Sequence, residues 1–138
     1  MIINAENLIV GRFATIAAKK ALLGEKVDIV NCEKAIITGK RDFVLSEYRR
    51  RVAMGIPSKG PFLQRQSDRI VRRIVRGMLP YKRERGKDAF KRVMCYRGIP
   101  ESFKNQKMET IKEANVSKMK NLDYITIGEI SKHLGAKQ

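Results

Sequence analysis

Four arginines on one predicted helix are the residues best suited to chemistry in this sequence, and the chemistry they offer is the binding of anions. Within SDRIVRRIVRGMLPYKRERG, residues 67–86, helical spacing of roughly 100° per residue places arginines on one arc and apolar residues on the opposite arc. The arginines are Arg69, Arg72, Arg73 and Arg76, and the apolar residues are Ile70, Val71, Ile74, Val75 and Met78. We expect one face of this helix to be buried and the other to contact anions.

The predicted helix carries too little acid to neutralise its own arginines. An exposed helix face ordinarily mixes charges of both signs, because like charges at helical spacing oppose each other. Only Asp68 accompanies the four arginines, in the first turn, where Ser67 is expected to cap the helix N-terminus. An external polyanion therefore explains the arginine face better than solvent alone.

The positive charge of the whole chain is concentrated in its middle. The 138 residues carry a net charge of +16, and 17 of the 30 basic residues lie between positions 40 and 92 beside only five acidic ones. Such an imbalance destabilises a compact protein by self-repulsion unless a polyanion offsets it. The candidate contacts are Lys40, Arg41, Arg49, Arg50, Arg51, Lys59, Arg65, Arg69, Arg72, Arg73, Arg76, Lys82, Arg83, Arg85, Lys87, Lys91 and Arg92.

The residues that catalysis or metal binding would require are not grouped in this sequence. The first strand–helix junction has Gly11 but no glycine-rich phosphate loop. His133 is the only histidine, which leaves a zinc site with too few ligands. Glu47, Glu84 and Asp88 lie among basic residues, where ion pairing is the expected role. We predict a protein that is not an enzyme and has no cofactor or small-molecule substrate.

Membrane and secretory signals are also missing from the pattern. No segment approaches the roughly 18 apolar residues of a membrane span, and the opening MIINAENLIV is unlike a signal peptide. Cys32 and Cys95 lie in apolar runs without CxxC spacing and are interpreted as reduced core thiols, although the sequence leaves a disulfide between them open. The expected location is the cytoplasm, with no membrane partner.

The elements that must position the arginines alternate between strand and helix patterns. An apolar opening, a helical segment ending at Gly24 and the β-branched run Val27–Cys32 form a predicted βαβ unit with a parallel strand pair. Further strands are predicted near 35–38, 93–96 and 122–125. These strands, separated by helical segments, predict one α/β domain over residues 1–138. Its mostly parallel sheet would have about four strands, helices on both faces and basic loop or helix extensions.

For two further helices, the sequence predicts either the buried face or the ends. The segment DFVLSEYRRRVAM predicts a helix whose inward residues are Phe43, Val44, Tyr48 and Val52. The last helix should begin at a capping box formed by Thr126 and Glu129 and end at Gly135. Its segment TIGEISKHLGA resembles the start of a DNA-binding helix-turn-helix, but only residues 136–138 follow the turn, too few for a recognition helix.

Folded RNA is the polyanion that fits the remaining pattern. Between residues 40 and 92 the basic residues interleave with Tyr48, Phe62, Tyr81 and Phe90 and with glycine turns, although Phe43 and Phe90 are expected to contribute mainly to the core. Arginine binds phosphates with two donors and also stacks on unpaired bases. This arrangement suits an irregular RNA surface better than a regular duplex groove.

The block VRGMLPYKRERGKDAFKRVMCYRGIP resembles the signature of the large-ribosomal-subunit protein family numbered thirteen, in its archaeal and eukaryotic branch. The segments LIVGRFATIAAKKALLGEKVDIVNCEKAIITGKR and YITIGEISKHLG resemble the same family, so the likeness covers nearly the whole chain. The resemblance implies a compact, noncatalytic α/β protein of the large ribosomal subunit that binds its rRNA, supports rRNA folding and assembly, and neighbours other ribosomal proteins.

The resemblance also assigns RNA contacts within its matching motifs. In or beside the signature these are Arg72, Arg73, Arg76, Lys82, Arg83, Arg85, Lys87, Lys91 and Arg92, and Lys40 and Arg41 end the matching ITGKR turn. The other six candidates rest on charge and position. An extraribosomal RNA-binding factor or RNA chaperone that uses the same surface remains the alternative function, with DNA binding through a helix-turn-helix less favoured.

Overall fold

Five helices and five short strands form the computed structural model, which describes residues 1–119 and 121–136. In chain order they are β1 (Ile2–Asn4), α1 (Val10–Leu22), β2 (Val27–Val30), β3 (Ile36–Thr38), α2 (Arg41–Ala53), α3 (Ser67–Gly77), α4 (Glu84–Lys91), β4 (Val93–Cys95), β5 (Tyr124–Thr126) and α5 (Ile127–His133). The predicted α/β class is confirmed.

The central sheet is parallel and has the order β1-β2-β4. The predicted βαβ unit is confirmed, since β1 and β2 are parallel neighbours, with Ile3 opposite Ile29. In place of a fourth parallel strand, β3 pairs antiparallel with β5 in a separate two-stranded sheet. The reason is the short connection between β2 and β3, because a parallel neighbour needs a crossover of about a dozen residues or more.

The core lies where α1, α3 and α4 pack against the sheet. All four residues of β2 are buried, as expected of a central strand covered on both faces. Alanines at 14, 17, 18 and 21 form the buried side of α1, and their small size lets the neighbouring backbone approach closely. The helix is followed by Gly24 at φ +100°, which confirms the predicted stop. Cys32 and Cys95 are free, buried thiols.

Helix α3 has the predicted orientation in its central turns. Ile70, Val71 and Val75 are buried, and α3 contacts α1, α5 and β4. At the helix ends the prediction is wrong: Met78 lies past the last turn with 40% of its surface exposed, and Ser67 is a buried residue inside the helix. Gln66 occupies the N-cap position without a side-chain hydrogen bond.

Helix α2 buries a narrower stripe than its sequence suggested. Val44 is buried and Tyr48 and Val52 are half-buried, but Phe43 is 72% exposed, so its predicted core position is wrong. Residues at spacing four share a helix face, whereas a neighbouring residue is rotated by about 100°. The stripe of Val44, Tyr48 and Val52 therefore excludes Phe43.

The C-terminal helix α5 holds the segment before α3 in place. The predicted capping box is confirmed: the Thr126 hydroxyl accepts a hydrogen bond from the Glu129 amide at 3.2 Å, and the Glu129 carboxylate accepts one from the Thr126 amide. On the next turn, the Ser131 hydroxyl donates to the Arg65 carbonyl at 2.8 Å. Helix α5 thus fixes the chain two residues before α3 begins.

Candidate nucleic-acid interface

The four predicted arginines of α3 meet in one surface groove. Its volume is about 460 Å³. It is lined by Phe62, Gln64, Arg69, Arg72, Arg73, Arg76 and Phe90, and we call it the arginine groove. The helix supplies the arginines on successive turns, the chain before α3 supplies Phe62 and Gln64, and α4 supplies Phe90. The groove therefore combines cationic side chains with two aromatic rings.

Uncharged partners hold the arginines of the groove. Arg72 Nε donates to the Val93 carbonyl at 3.1 Å, and its guanidinium carbon lies 4.5 Å from the centre of the Phe90 ring. Arg73 donates to the Phe62 carbonyl at 3.3 Å and Arg69 to the Gln64 amide oxygen at 2.9 Å. These contacts restrict the side chains without cancelling their charge.

No ion pair neutralises an α3 arginine within residues 1–119 and 121–136. Asp68 is on the same helix, but one of its carboxylate oxygens is buried without a hydrogen-bond partner instead of bonding an arginine. Among the described residues, the positive charge of the groove is therefore not neutralised by ion pairs. This agrees with the interpretation of the isolated sequence.

A smaller hollow of about 240 Å³ extends the groove towards α2. It shares Gln64 and Arg73 with the arginine groove and adds Tyr48 and Arg51. The Arg51 guanidinium lies 5.6 Å from the centre of the Tyr48 ring, so this second arginine–aromatic pair continues the same surface.

Within α2, Glu47 binds two of the candidate arginines. Its carboxylate accepts hydrogen bonds from Arg50 at 2.8 and 2.9 Å and from Arg51 Nε at 2.9 Å. The hydrogen bonds to Arg50 and Arg51 lower the pKa of Glu47 to about 2. Folding lowers this pKa, so the stabilisation is present above the unfolded pKa and is lost only as the pH falls towards 2. The two arginines thus stay paired at neutral pH.

Replacing Glu47 should strengthen anion binding on this side of the protein. Glu47→Gln removes one negative charge and releases Arg50 and Arg51, so we expect affinity for RNA to rise about two- to fivefold. The increase should be the same at pH 5 and pH 8, because Glu47 is ionised throughout that range. Fluorescence anisotropy with a labelled RNA measures both values.

Glu101→Gln is the matched control, since Glu101 pairs with Lys104 outside the basic middle of the chain. Equal gains for the two variants would show that net charge alone, and not the released arginines, sets the affinity.

The turn after α3 and the first turn of α4 present a second group of exposed basic residues: Lys82 and Arg83 precede α4, and Arg85 and Lys87 lie within it. The turn packs tightly against α4, because a β-carbon at Gly86 would overlap the Pro80 carbonyl group and would lie 2.8 Å from the Tyr81 amide nitrogen. The Arg76 guanidinium lies 5.2 Å from the Tyr81 ring centre and links this turn to the groove.

Gly86→Ala should displace this turn. The added methyl overlaps backbone atoms that cannot rotate away, so we expect a loss of about 1–3 kcal/mol in the free energy of unfolding. Gly77→Ala is the control, because nothing lies within 4 Å of its β-position at the end of α3. Thermal denaturation of both variants measures the difference, and equal melting temperatures would contradict the close packing at Gly86.

The remaining candidates lie apart from the arginine groove. Lys40 and Arg41 are at the start of α2, about 15 Å along the helix from Arg51. Lys40 instead lines a separate hollow with Arg12 and Lys118, two basic residues outside the 40–92 region. The structure thus divides the predicted surface into two basic areas.

Four candidates have contacts that also serve the fold. Arg92 donates to the Ala21 carbonyl at 3.3 Å and joins the end of α4 to α1, and Lys91 pairs with Asp88. Arg49 is hydrogen-bonded to His133 of α5, and the Arg65 carbonyl accepts the bond from Ser131. Lys59 is exposed in the loop between α2 and α3.

Sequence reasoning missed Gln64, Arg12 and Lys118. Gln64 carries no charge and lies outside any periodic segment, so nothing in the sequence distinguished it. Arg12 and Lys118 belong to distant parts of the chain that only the fold brings together. Their positive charges were the one available signal.

Comparison with known proteins identifies the family. Residues 1–102 match the family described as Ribosomal protein L13. The chain belongs to that family. Archaeal relatives named Large ribosomal subunit protein uL13 support the assignment: the one from Methanopyrus kandleri is 46% identical over 97% of this chain and 86% of its own length. The relatives from Methanococcoides burtonii, at 43% over 99% and 98%, and Archaeoglobus fulgidus, at 40% over 97% and 86%, agree.

The family membership confirms the resemblance drawn from the signature block, and it makes the chain a ribosomal protein rather than an enzyme. In the part of the chain that the structure describes, no helix is long and apolar enough to cross a membrane. The described residues after α5, up to Ala136, contain no second helix. Lys137 and Gln138 lie outside the described residues.

Proposed function

We propose that this protein is a structural component of the large ribosomal subunit that binds large-subunit rRNA and supports its folding during assembly. The arginine groove is the observation that carries the proposal, because its cations are held in place yet unneutralised. The names of the archaeal relatives supply the subunit. The proposed location is the cytoplasm, on the ribosome.

All 17 basic residues between positions 40 and 92 are proposed RNA contacts, and they lie in separate groups on the fold. The arginine groove, its extension towards α2 and the turn at 82–87 form one surface along α3. Lys40 belongs to the second basic area, with Arg12 and Lys118, and Arg41 follows it in the chain. Each neutralised phosphate releases condensed counterions, so affinity should fall as salt rises. Neighbouring ribosomal proteins are the other proposed partners.

Binding to large-subunit rRNA fragments between about 0.05 and 0.2 M monovalent salt tests the function. We expect one fragment to be preferred over unrelated structured RNA and over duplex DNA, and the preference to persist at the higher salt. Weak binding to every polyanion that disappears with salt would contradict the proposal. Association only with precursor particles, lost in a high-salt wash, would favour an RNA chaperone instead.

A further inference from the structure

The arginine groove has a rigid planar surface in its floor. The guanidinium of Arg72 is fixed at one edge by the Val93 carbonyl and lies over the Phe90 ring, with 4.5 Å between its central carbon and the ring centre. A guanidinium plane held against an aromatic ring offers its other face to a further flat group. In RNA the flat groups are bases, and arginine planes stack on bases that are not paired.

An exposed aromatic ring forms another wall of the groove. The side chain of Phe62 is 66% exposed, while its backbone carbonyl is held by Arg73. This arrangement fixes the position of the residue and leaves its ring in solvent, where it gains nothing from the protein core. Stacking of a base on Phe62 would remove that apolar surface from water.

The polar atoms of the groove are mostly donors. Arg69, Arg73 and Arg76 bring guanidinium N–H groups, and Gln64 brings an amide NH₂ while its oxygen already accepts from Arg69. A base that presents only acceptors on one edge complements this set. On the edge that faces the major groove in a duplex, guanine offers O6 and N7 and uracil offers O4, whereas adenine and cytosine carry an exocyclic amino donor on that edge.

The size of the groove limits what enters it. About 460 Å³ falls in the roughly 300–1,000 Å³ range of sites for single small molecules, which suits one nucleotide and is too small for a duplex. An RNA helix could lie across the exposed arginines, but it could not place a base on Arg72 or Phe62 without releasing that base from its stack.

We propose that the arginine groove binds one unpaired guanine or uracil of the RNA, stacked on Arg72 and Phe62 and recognised at its acceptor edge by Gln64 and the neighbouring arginines. This inference rests on the proposed function, since it names the RNA feature that the same surface recognises. The phosphates on either side of the extruded nucleotide would then lie near Arg69, Arg73 and Arg76.

A set of RNA hairpins tests the inference with the full chain. Five hairpins share one stem: one is fully paired, and the others carry a single bulged G, U, A or C. At about 0.15 M salt we expect the bulged G and U hairpins to bind about tenfold more tightly than the paired one, the effect of one base–aromatic stack. Phe62→Ala should remove this preference, so that the variant binds the bulged and the paired hairpins with similar affinity.

Phe43→Ala is the matched control, because Phe43 is an equally exposed phenylalanine on α2 that does not line the groove. Neither ring is buried, so both variants should keep the wild-type melting temperature. Gln64→Leu should retain the preference for a bulge but reduce the distinction of G and U from A and C.

Equal binding of the wild type to all five hairpins, or equal effects of Phe62→Ala and Phe43→Ala on the bulge preference, would overturn the inference. The rRNA-fragment assay separates this failure from failure of the proposed function. If the wild type and Phe62→Ala both bind rRNA selectively but neither prefers a bulged hairpin, only the inference is refuted. Loss of rRNA selectivity in the wild type would refute the function itself.

Discussion

Reversing the charges of Arg69 and Arg73 together should lower the affinity for large-subunit rRNA about a hundredfold while the protein stays folded. Both side chains are exposed on α3 and line the arginine groove. A hydrogen bond to a charged group contributes about 1.5–3 kcal/mol, and two such losses at the lower figure amount to roughly two orders of magnitude. Titration of Arg69→Glu/Arg73→Glu against an rRNA fragment measures the loss.

The salt dependence gives this experiment a second readout. Two fewer phosphate contacts should make the negative slope of log affinity against log salt concentration shallower by about 2. Lys104→Glu/Lys107→Glu is the control, because it changes the net charge equally at exposed positions outside the groove. If the control loses as much affinity, total charge governs binding and the groove has no special role.

Arg72 is unsuitable for such a test because it has two functions. It lines the groove, and it also bonds the carbonyl of Val93 in β4 and packs over Phe90. Arg72→Glu would disturb the sheet as well as the RNA contact. A loss of binding in that variant would not distinguish the two causes.

Val71→Asp should unfold the protein. Val71 is fully buried in the centre of α3, where the helix packs between α1, α5 and β4. A carboxylate there has no basic partner and no water, and its burial costs about 4 kcal/mol or more, a large part of the 5–15 kcal/mol that stabilises a typical domain. Circular dichroism at 25 °C should show lost helix content.

Two other substitutions on α3 calibrate this result. Val71→Ala removes two methyl groups without adding charge and should leave a folded protein with a lower melting temperature. Ile74→Asp should be tolerated better than Val71→Asp, because Ile74 is only half-buried and can turn its carboxylate towards solvent. Unfolding by Ile74→Asp but not by Val71→Asp would mean that α3 buries the opposite edge of its apolar face.

The central part of the site was predictable because it depends on one local period. The helical period of 3.6 residues places Arg69 and Arg73 on the opposite side of α3 from Val71 and Val75, whatever the helix packs against. The pairing of Glu47 with Arg50 and Arg51 also follows from spacings of three and four. Ion pairing of Glu47 was expected from the sequence and is confirmed, and these spacings also identify its two partners.

The rest of the site depends on contacts that local patterns do not contain. Phe62 and Gln64 reach the groove because the chain between α2 and α3 folds back on α3, and the fixed position of Arg72 depends on a carbonyl in β4. Phe43 was expected to lie in the core, yet it is exposed, as Phe62 is. Which exposed ring lines a basic groove is decided by tertiary structure alone.

The pairing of β3 with β5 has a consequence for the order in which this chain folds as it is synthesised. Ile36 of β3 can pair with Thr126 of β5 only after β5 has been synthesised. Likewise, α3 can contact α5 only after α5 has been synthesised. Domains emerge N-terminal end first, so the βαβ unit can form early while the arginine-rich middle is already outside the ribosome without its final support. Until then this segment is a polycation without its final packing, and we expect it to bind nearby nucleic acid without selectivity. The segment before α3 therefore gains its hydrogen bond to Ser131 only after α5 has been made.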